Sequence, residues 1–194
     1  MAEQDTQRRI TAPDSPGSGR SRTARAVALA RLLHYECNHL LQLYRERETF
    51  LADHTPDEGR IVSLSHDAEE PSAEQQVQLL HQALRQCLGL IQCVILKEEE
   101  EWGKMEGDYE TMKNSVRLRL EYLLRTTKDL VEMGGVTLEV TPDHQCNEET
   151  DGSGGVFGLK MWTYRVLLEL IHWADRAAQT LHVLHIEREG TEEI

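Results

Sequence analysis

Two Glu-x-x-His pairs, Glu36 with His39 and Glu169 with His172, are the residues of this chain best spaced for metal chemistry. Side chains three apart share a helix face. A di-iron or di-manganese carboxylate site uses two such pairs and two further glutamates, all aimed into the core of a four-helix bundle. Aim is what these pairs lack. At 100° per residue, His39 lies about 120° and His172 about 140° from the apolar stripe of its helix. Both should point outward, and no metal centre is expected from them. His182 and His185, three apart near the end of the chain, offer two ligands and thus a weak surface clip at best. The four cysteines, Cys37, Cys87, Cys93 and Cys146, form no Cys-x-x-Cys pair, so zinc and thioredoxin-like readings find no support in their spacing. Cys87 and Cys93 stand about 9 Å apart along one helix and cannot bridge each other. Free, half-buried thiols are the expectation. With no Gly-rich phosphate loop, HExxH or nucleophile elbow, no catalytic residue and no cofactor are expected.

What remains is the chemistry of recognition. In "GGVFGLKMWTYRVLLELIHW", residues 154–173, a helix begins whose opening turns carry Phe157 and Lys160. A cation near the positive end of a helix dipole costs about 0.3–1 kcal/mol, and an aromatic there needs cover. Leu159, Trp162, Val166 and Leu170 share the core face. Phe157 lies about 160° from that face and Lys160 about 100°. Met161, Tyr164, Leu168 and Ile171 continue the Phe157 line along the first half of the helix, and a long connection packing over them is the simplest account. Phe157 and Lys160 sit at the tip, where a connection covers least. An exposed aromatic beside a cation is the residue mix of an interface hot spot.

The elements that position this pair follow from pattern. Of 194 residues, 39% are hydrophobic, 28% charged and only 5% aromatic, a composition of long helices in one domain. The net charge of −13 argues against nucleic acid as a ligand. No run approaches 18 apolar residues, so membrane insertion is not expected. The first 24 residues hold no apolar segment of signal-peptide length, so the chain reads as made in the cytosol.

Residues 1–20 read as a disordered leader, 21–190 as a helical bundle and 191–194 as a tail. Helical periods run over about 22–52, 72–102, 108–133 and 156–187. Ser72 with Gln75 has capping-box spacing, Asp108 suits a third cap, and Gly134 with Gly135 suits a stop. "VTLEV", residues 136–140, alternates like a short strand. The connections are thus about 20, 5 and 20 residues. Twenty extended residues reach about 65 Å, more than the roughly 45 Å of a 30-residue helix. Long connections can join parallel helices and the short one antiparallel neighbours, which gives an all-α up-up-down-down bundle of the long-chain cytokine type. An up-down bundle with long inserts is the alternative.

The residues 154–173 resemble the start of the last helix in the interleukin-6-type family of long-chain cytokines. Phe157 and Lys160 match a Phe-x-x-Lys pair, and Trp162, Arg165, Val166, Leu167, Glu169, Leu170 and Trp173 continue in register. "MEGDYE" is similar to the family's third-helix start and "ALARLL" to part of its first. The resemblance implies a receptor ligand that triggers JAK/STAT signalling. Phe157 and Lys160 would bind the leukaemia inhibitory factor receptor. The outer face of the first and third helices, with Arg25, Leu32, Lys113 and Arg117, would bind glycoprotein 130. Arg176 and His182 fall on the surface for a non-signalling alpha receptor, where the sequence departs from the family. His182 replaces an Arg, and Asp67 stands near the place of an exposed Trp. An intracellular helical-bundle adaptor and, more remotely, a metal-binding four-helix enzyme are the readings from other classes.

Overall fold

Four long helices form where the apolar stripes recur: α1 over Ser18–Arg47, α2 over Ala73–Trp102, α3 over Asp108–Met133 and α4 over Gly155–Gly190. The computed structural model describes residues 18–55, 59–64, 70–135, 138 and 145–190. Ser72 opens α2 with the expected capping box: its hydroxyl accepts from the Gln75 N–H, and the Gln75 side chain accepts from the Ser72 N–H. At α3 the cap differs from expectation. Gly107 holds the cap position, and Asp108 is the first helical residue, where its charge complements the dipole. The first helix stops at Arg47, short of the expected 52, and a 3-10 turn over Thr49–Asp53 keeps Leu51 buried. Among the described residues there is no strand. Of 136–140 only Leu138 is described, as an irregular residue packed on the core. The leader expected over 1–20 falls outside the described residues up to position 17, and the tail over 191–194 falls outside entirely.

Pairings between helices settle the topology. The Tyr44 hydroxyl, late in α1, donates to the Lys160 carbonyl early in α4 at 2.8 Å, while Thr23 meets His185 at the other end at 2.7 Å. Arg47 pairs with Glu110 and Arg22 with Met133, so α1 also runs antiparallel to α3. Across α2, Glu98 faces Lys113, His81 faces Thr127, and Glu74 faces Arg188. Among the described residues the backbones of α1 and α2 do not approach each other closely, nor do those of α3 and α4. Every neighbouring pair is antiparallel and the parallel pairs lie on the diagonals. That is up-up-down-down. Although α2 is apolar enough by composition to cross a membrane, Val77, Leu80, Leu84, Cys87, Ile91 and Val94 are all buried in the bundle.

The cysteines correct the expectation of four free thiols. Cys93 on α2 is bonded to Cys146 in the second crossover, with Cα atoms 5.3 Å apart. Cys37 and Cys87 are free and fully buried, and burial pushes both thiols far up. They are poor nucleophiles.

Candidate interaction surfaces

The end of α1, the 3-10 turn, the last turn of α2 and the start of α4 meet at one end of the bundle. Phe157 is 55% exposed there. Its ring lies 5.8 Å from Phe50 and 5.7 Å from His54, so the 3-10 segment supports it from one side. Lys160 is less free than its position in the sequence suggested. Its ammonium donates to Glu48 at 2.8 Å and stands 5.6 Å from the Phe50 ring and 5.8 Å from that of Trp102. The cation that was unfavourable for an isolated α4 is matched by a carboxylate from the end of α1. Glu48, Phe50 and Trp102 were missed in the sequence because no local period links them to α4.

The chain approaches this helix through a tight lead. Asn147 and Asp151 close a turn by reciprocal bonds: the Asp151 N–H donates to the Asn147 carbonyl, and the Asn147 N–H donates to the Asp151 carboxylate, each at 2.8 Å. Gly152 follows at φ 69°, where a Cβ would stand 2.8 Å from the Leu159 side chain. A side chain at Gly158 would overlap the Ser153 carbonyl. Small residues therefore let the lead lie directly on the first turns of α4.

Beneath the tip, Arg47 pairs with Glu110 at 3.0 Å and lies 5.2 Å from the Tyr109 ring. The Tyr109 hydroxyl donates to Glu98 at 2.7 Å, and Lys113 approaches the same carboxylate at 3.4 Å. Burial raises the Glu98 carboxyl, and Lys113 opposes that rise. Lys113 corrects an expectation. It is only 5% exposed and sits inside the bundle, not on its outer face.

The other expected positions on α1 and α3 are accessible. Arg25 and Leu32 line a groove of about 540 Å³ with Arg22, Leu29, Tyr122 and Leu130. Arg117 lies outside that groove and pairs with Glu121 at 3.0 Å. On the opposite side of the bundle, Arg176 lines a groove of about 530 Å³ with Arg60, Leu64, Gln76, His172 and Trp173. Partial burial, reinforced by Arg60, holds the His172 imidazole below its ordinary value. His182 is exposed on α4 beyond this groove. Asp67 lies outside the described residues.

Glu169 anchors the first crossover to α4. Nearly fully buried, it accepts from the Val62 N–H at 3.2 Å and the Trp173 indole at 2.9 Å, with Arg60 at 3.7 Å. Along the second apolar stripe Tyr164 is buried, with Arg45 of α1 on its hydroxyl and ring, and Met161, Leu168 and Ile171 are half-buried. Glu36, from the other Glu-x-x-His pair, is held by Arg119 at 3.0 Å. The two glutamates serve separate salt bridges.

A family model described as Ciliary neurotrophic factor matches residues 11–193 of the chain. The chain belongs to the ciliary neurotrophic factor family. It is 23% identical to ciliary neurotrophic factor of Rattus norvegicus over 172 residues, covering 86% of this chain and 84% of that protein. Against ciliary neurotrophic factor of Mus musculus it is 22% identical over 171 residues, covering 86% and 85%. Membership in the ciliary neurotrophic factor family makes the chain a four-helix neurotrophic cytokine, and the similarity spans the whole bundle instead of a single motif.

Proposed function

We propose that this cytokine acts outside the cell by bringing two signalling receptor chains together. The tip at Phe157 and Lys160 engages the leukaemia inhibitory factor receptor. The groove between α1 and α3, with Arg25, Leu32 and nearby Arg117, engages glycoprotein 130, and their juxtaposition starts JAK/STAT phosphorylation. Arg176 and His182 contribute to a surface for an alpha receptor. Before release the protein is held in the cytoplasm.

The observation that carries this reading is Phe157, an aromatic left more than half exposed beside a cation that Glu48 and two rings hold in place. A core residue would not be left open, and a solvated tip would not need an aromatic. Separation of the surfaces supports the reading further. The tip lies where α1 ends, whereas Arg22, Arg25 and Leu130 place the α1/α3 groove toward the opposite end. The Arg176 groove faces the α2/α4 side. One ligand can thus contact three chains without overlap, as a ligand with no catalytic role requires.

The test is to add purified protein to cells carrying defined receptor combinations and to measure phosphorylation of the signal transducer. Signalling should require both the leukaemia inhibitory factor receptor and glycoprotein 130. Full signalling in cells lacking either one would overturn the proposal.

A further inference from the structure

We propose that the Cys93–Cys146 disulfide is a redox switch on the Phe157 tip. Closed, it holds the lead into α4 in place; opened, it loosens the lead and the tip with it, and receptor affinity falls. The proposal deepens the reading of Phe157 and Lys160 as a receptor surface and rests on that reading. Cys93 is buried on α2 and Cys146 is half-buried in the second crossover, with Cα atoms 5.3 Å apart. The bond thus has one end fixed in the bundle and one end that solvent reaches.

What the bond positions is the start of α4. From Cys146 the chain passes through the Asn147–Asp151 turn and then takes positive φ at Gly152, Gly154 and Gly155. The last of these is the first residue of α4. Glycine loses more backbone freedom on folding than any other residue, so such a stretch gains order from an outside tie. The reciprocal bonds between Asn147 and Asp151 give the turn its shape. The disulfide fixes that turn against α2, which itself packs on α4. Gly152 lies close on the Leu159 side chain, and the Ser153 carbonyl lies close on Gly158. A displaced lead therefore uncovers the same turns that carry Phe157 and Lys160.

The step is thiol–disulfide exchange with a low-molecular-weight monothiol. Its thiolate attacks the sulfur of Cys146, the more accessible of the two residues. The S–S bond breaks, and the Cys93 sulfur leaves with the electron pair and takes up a proton. A second thiolate attacks the small-molecule sulfur of the mixed disulfide, and the Cys146 sulfur leaves and is protonated in turn. Two small thiols are thereby oxidised to one small disulfide while the protein disulfide is reduced to two thiols. The reverse exchange, with the small disulfide as oxidant, closes the bond again. Cys37 and Cys87 are buried in the core and take no part. Thiols stay reduced in the cytosol and pair outside the cell, so the tip is loose in the first compartment and set in the second.

The full chain is equilibrated in mixtures of glutathione and glutathione disulfide, then freed of both under inert gas. It next meets the isolated leukaemia inhibitory factor receptor, which is never exposed to the thiol. With the bond open, affinity should fall about tenfold, as it does when only about a tenth of the molecules present the bound conformation. Amide hydrogen exchange over residues 158–164 should rise in the same mixtures, while the helical circular dichroism holds. Reoxidation should restore both. Cys93→Ser with Cys146→Ser should match the reduced chain, and the native sequence decides the matter if that variant fails to fold. Unchanged exchange and affinity in the reduced chain would overturn the proposal. So would a loss that reoxidation does not restore, or one that follows general loss of helix. An oxidised chain that does not bind this receptor would overturn the surface reading instead, and exchange over 158–164 alone then decides whether the bond controls the tip.

Discussion

Lys160 on α4 and Glu48, the residue after α1, meet at 2.8 Å, and this pair joins the end of the first helix to the start of the last beside the exposed Phe157 ring. Glu48 is buried, whereas the Lys160 side chain keeps a quarter of its surface in solvent. A partner can therefore reach the cation while the carboxylate holds it from below.

Lys160→Ala should cost about 1–2 kcal/mol of stability in urea unfolding. It leaves the buried Glu48 with only the more distant Arg47, at 3.8 Å, and solvent reaching the pair softens the loss. Adding Glu48→Gln should recover most of that cost. A Lys160→Ala protein as stable as the parent would show that the pair contributes nothing.

Phe157→Ala removes a ring that the core does not use, so stability should change by no more than about 0.5–1 kcal/mol. Receptor affinity is another matter. If Phe157 and Lys160 fill a pocket, their joint replacement should cost about 2–4 kcal/mol of binding, a loss of roughly 30- to 1000-fold. The doubly substituted protein should still bind glycoprotein 130 and compete with the parent without signalling. Surface-binding measurements with each isolated receptor check this, and an equal loss on both receptors would contradict it.

Lys113→Ala should behave as a core lesion. Glu98 would be left buried with the Tyr109 hydroxyl and the more distant charge of Arg47 but without its ion-pair partner, at a cost of about 3–5 kcal/mol. Any fall in glycoprotein 130 binding should then track the folded fraction, as circular dichroism and binding on one sample would reveal.

His81 makes stability depend on acid. The Thr127 hydroxyl donates to the Leu124 carbonyl at 3.1 Å, so it accepts the proton of His81 Nδ1 across 2.8 Å. Burial, with Arg85 and Lys128 nearby, lowers the imidazole from 6.5 to about 4. A depressed histidine favours the folded state while neutral. Its contribution is complete above pH 6.5 and is lost as pH falls toward 4, for a total of about 1–3 kcal/mol. Unfolding free energies at pH 7.5 and 4.5 should differ by that amount more in the parent than in His81→Gln.

Reducing the chain in the presence of a chelator should lower its stability by about 2–4 kcal/mol, the usual contribution of a native disulfide. The bundle should remain helical, because its core does not depend on this link. An unchanged thermal midpoint would mean that the crossover is held by other contacts.

Helix period and connection length carried most of the architecture. The stripes of Val77 through Val94 and of Leu159 through Leu184 fell on the core, and the long-short-long connections matched the antiparallel neighbours. What local pattern missed was long-range pairing. Nothing near Cys93 foretells Cys146, and nothing near Lys160 foretells Glu48. Lys113 misled because a lysine on a helix reads as solvated unless its buried partner is visible, and Glu98 lies on another helix. Phe157 was legible for the opposite reason: its angle alone set it apart from the core stripe.

The diagonal placement of α1 and α2 has a consequence for biosynthesis. The most extensive contacts of α1 are with α4, and among the described residues its backbone does not come as close to α2 as it does to α3 and α4. While the ribosome delivers the first two helices, these diagonal partners can shield little of each other's apolar face. Burial begins when α3 emerges, and the α1 seam closes only after the last helix is complete. Folding of this kind depends on contacts distant in sequence and is slow to start. The nascent chain must remain sticky for most of its synthesis, and holdase chaperones would find their main target on α1.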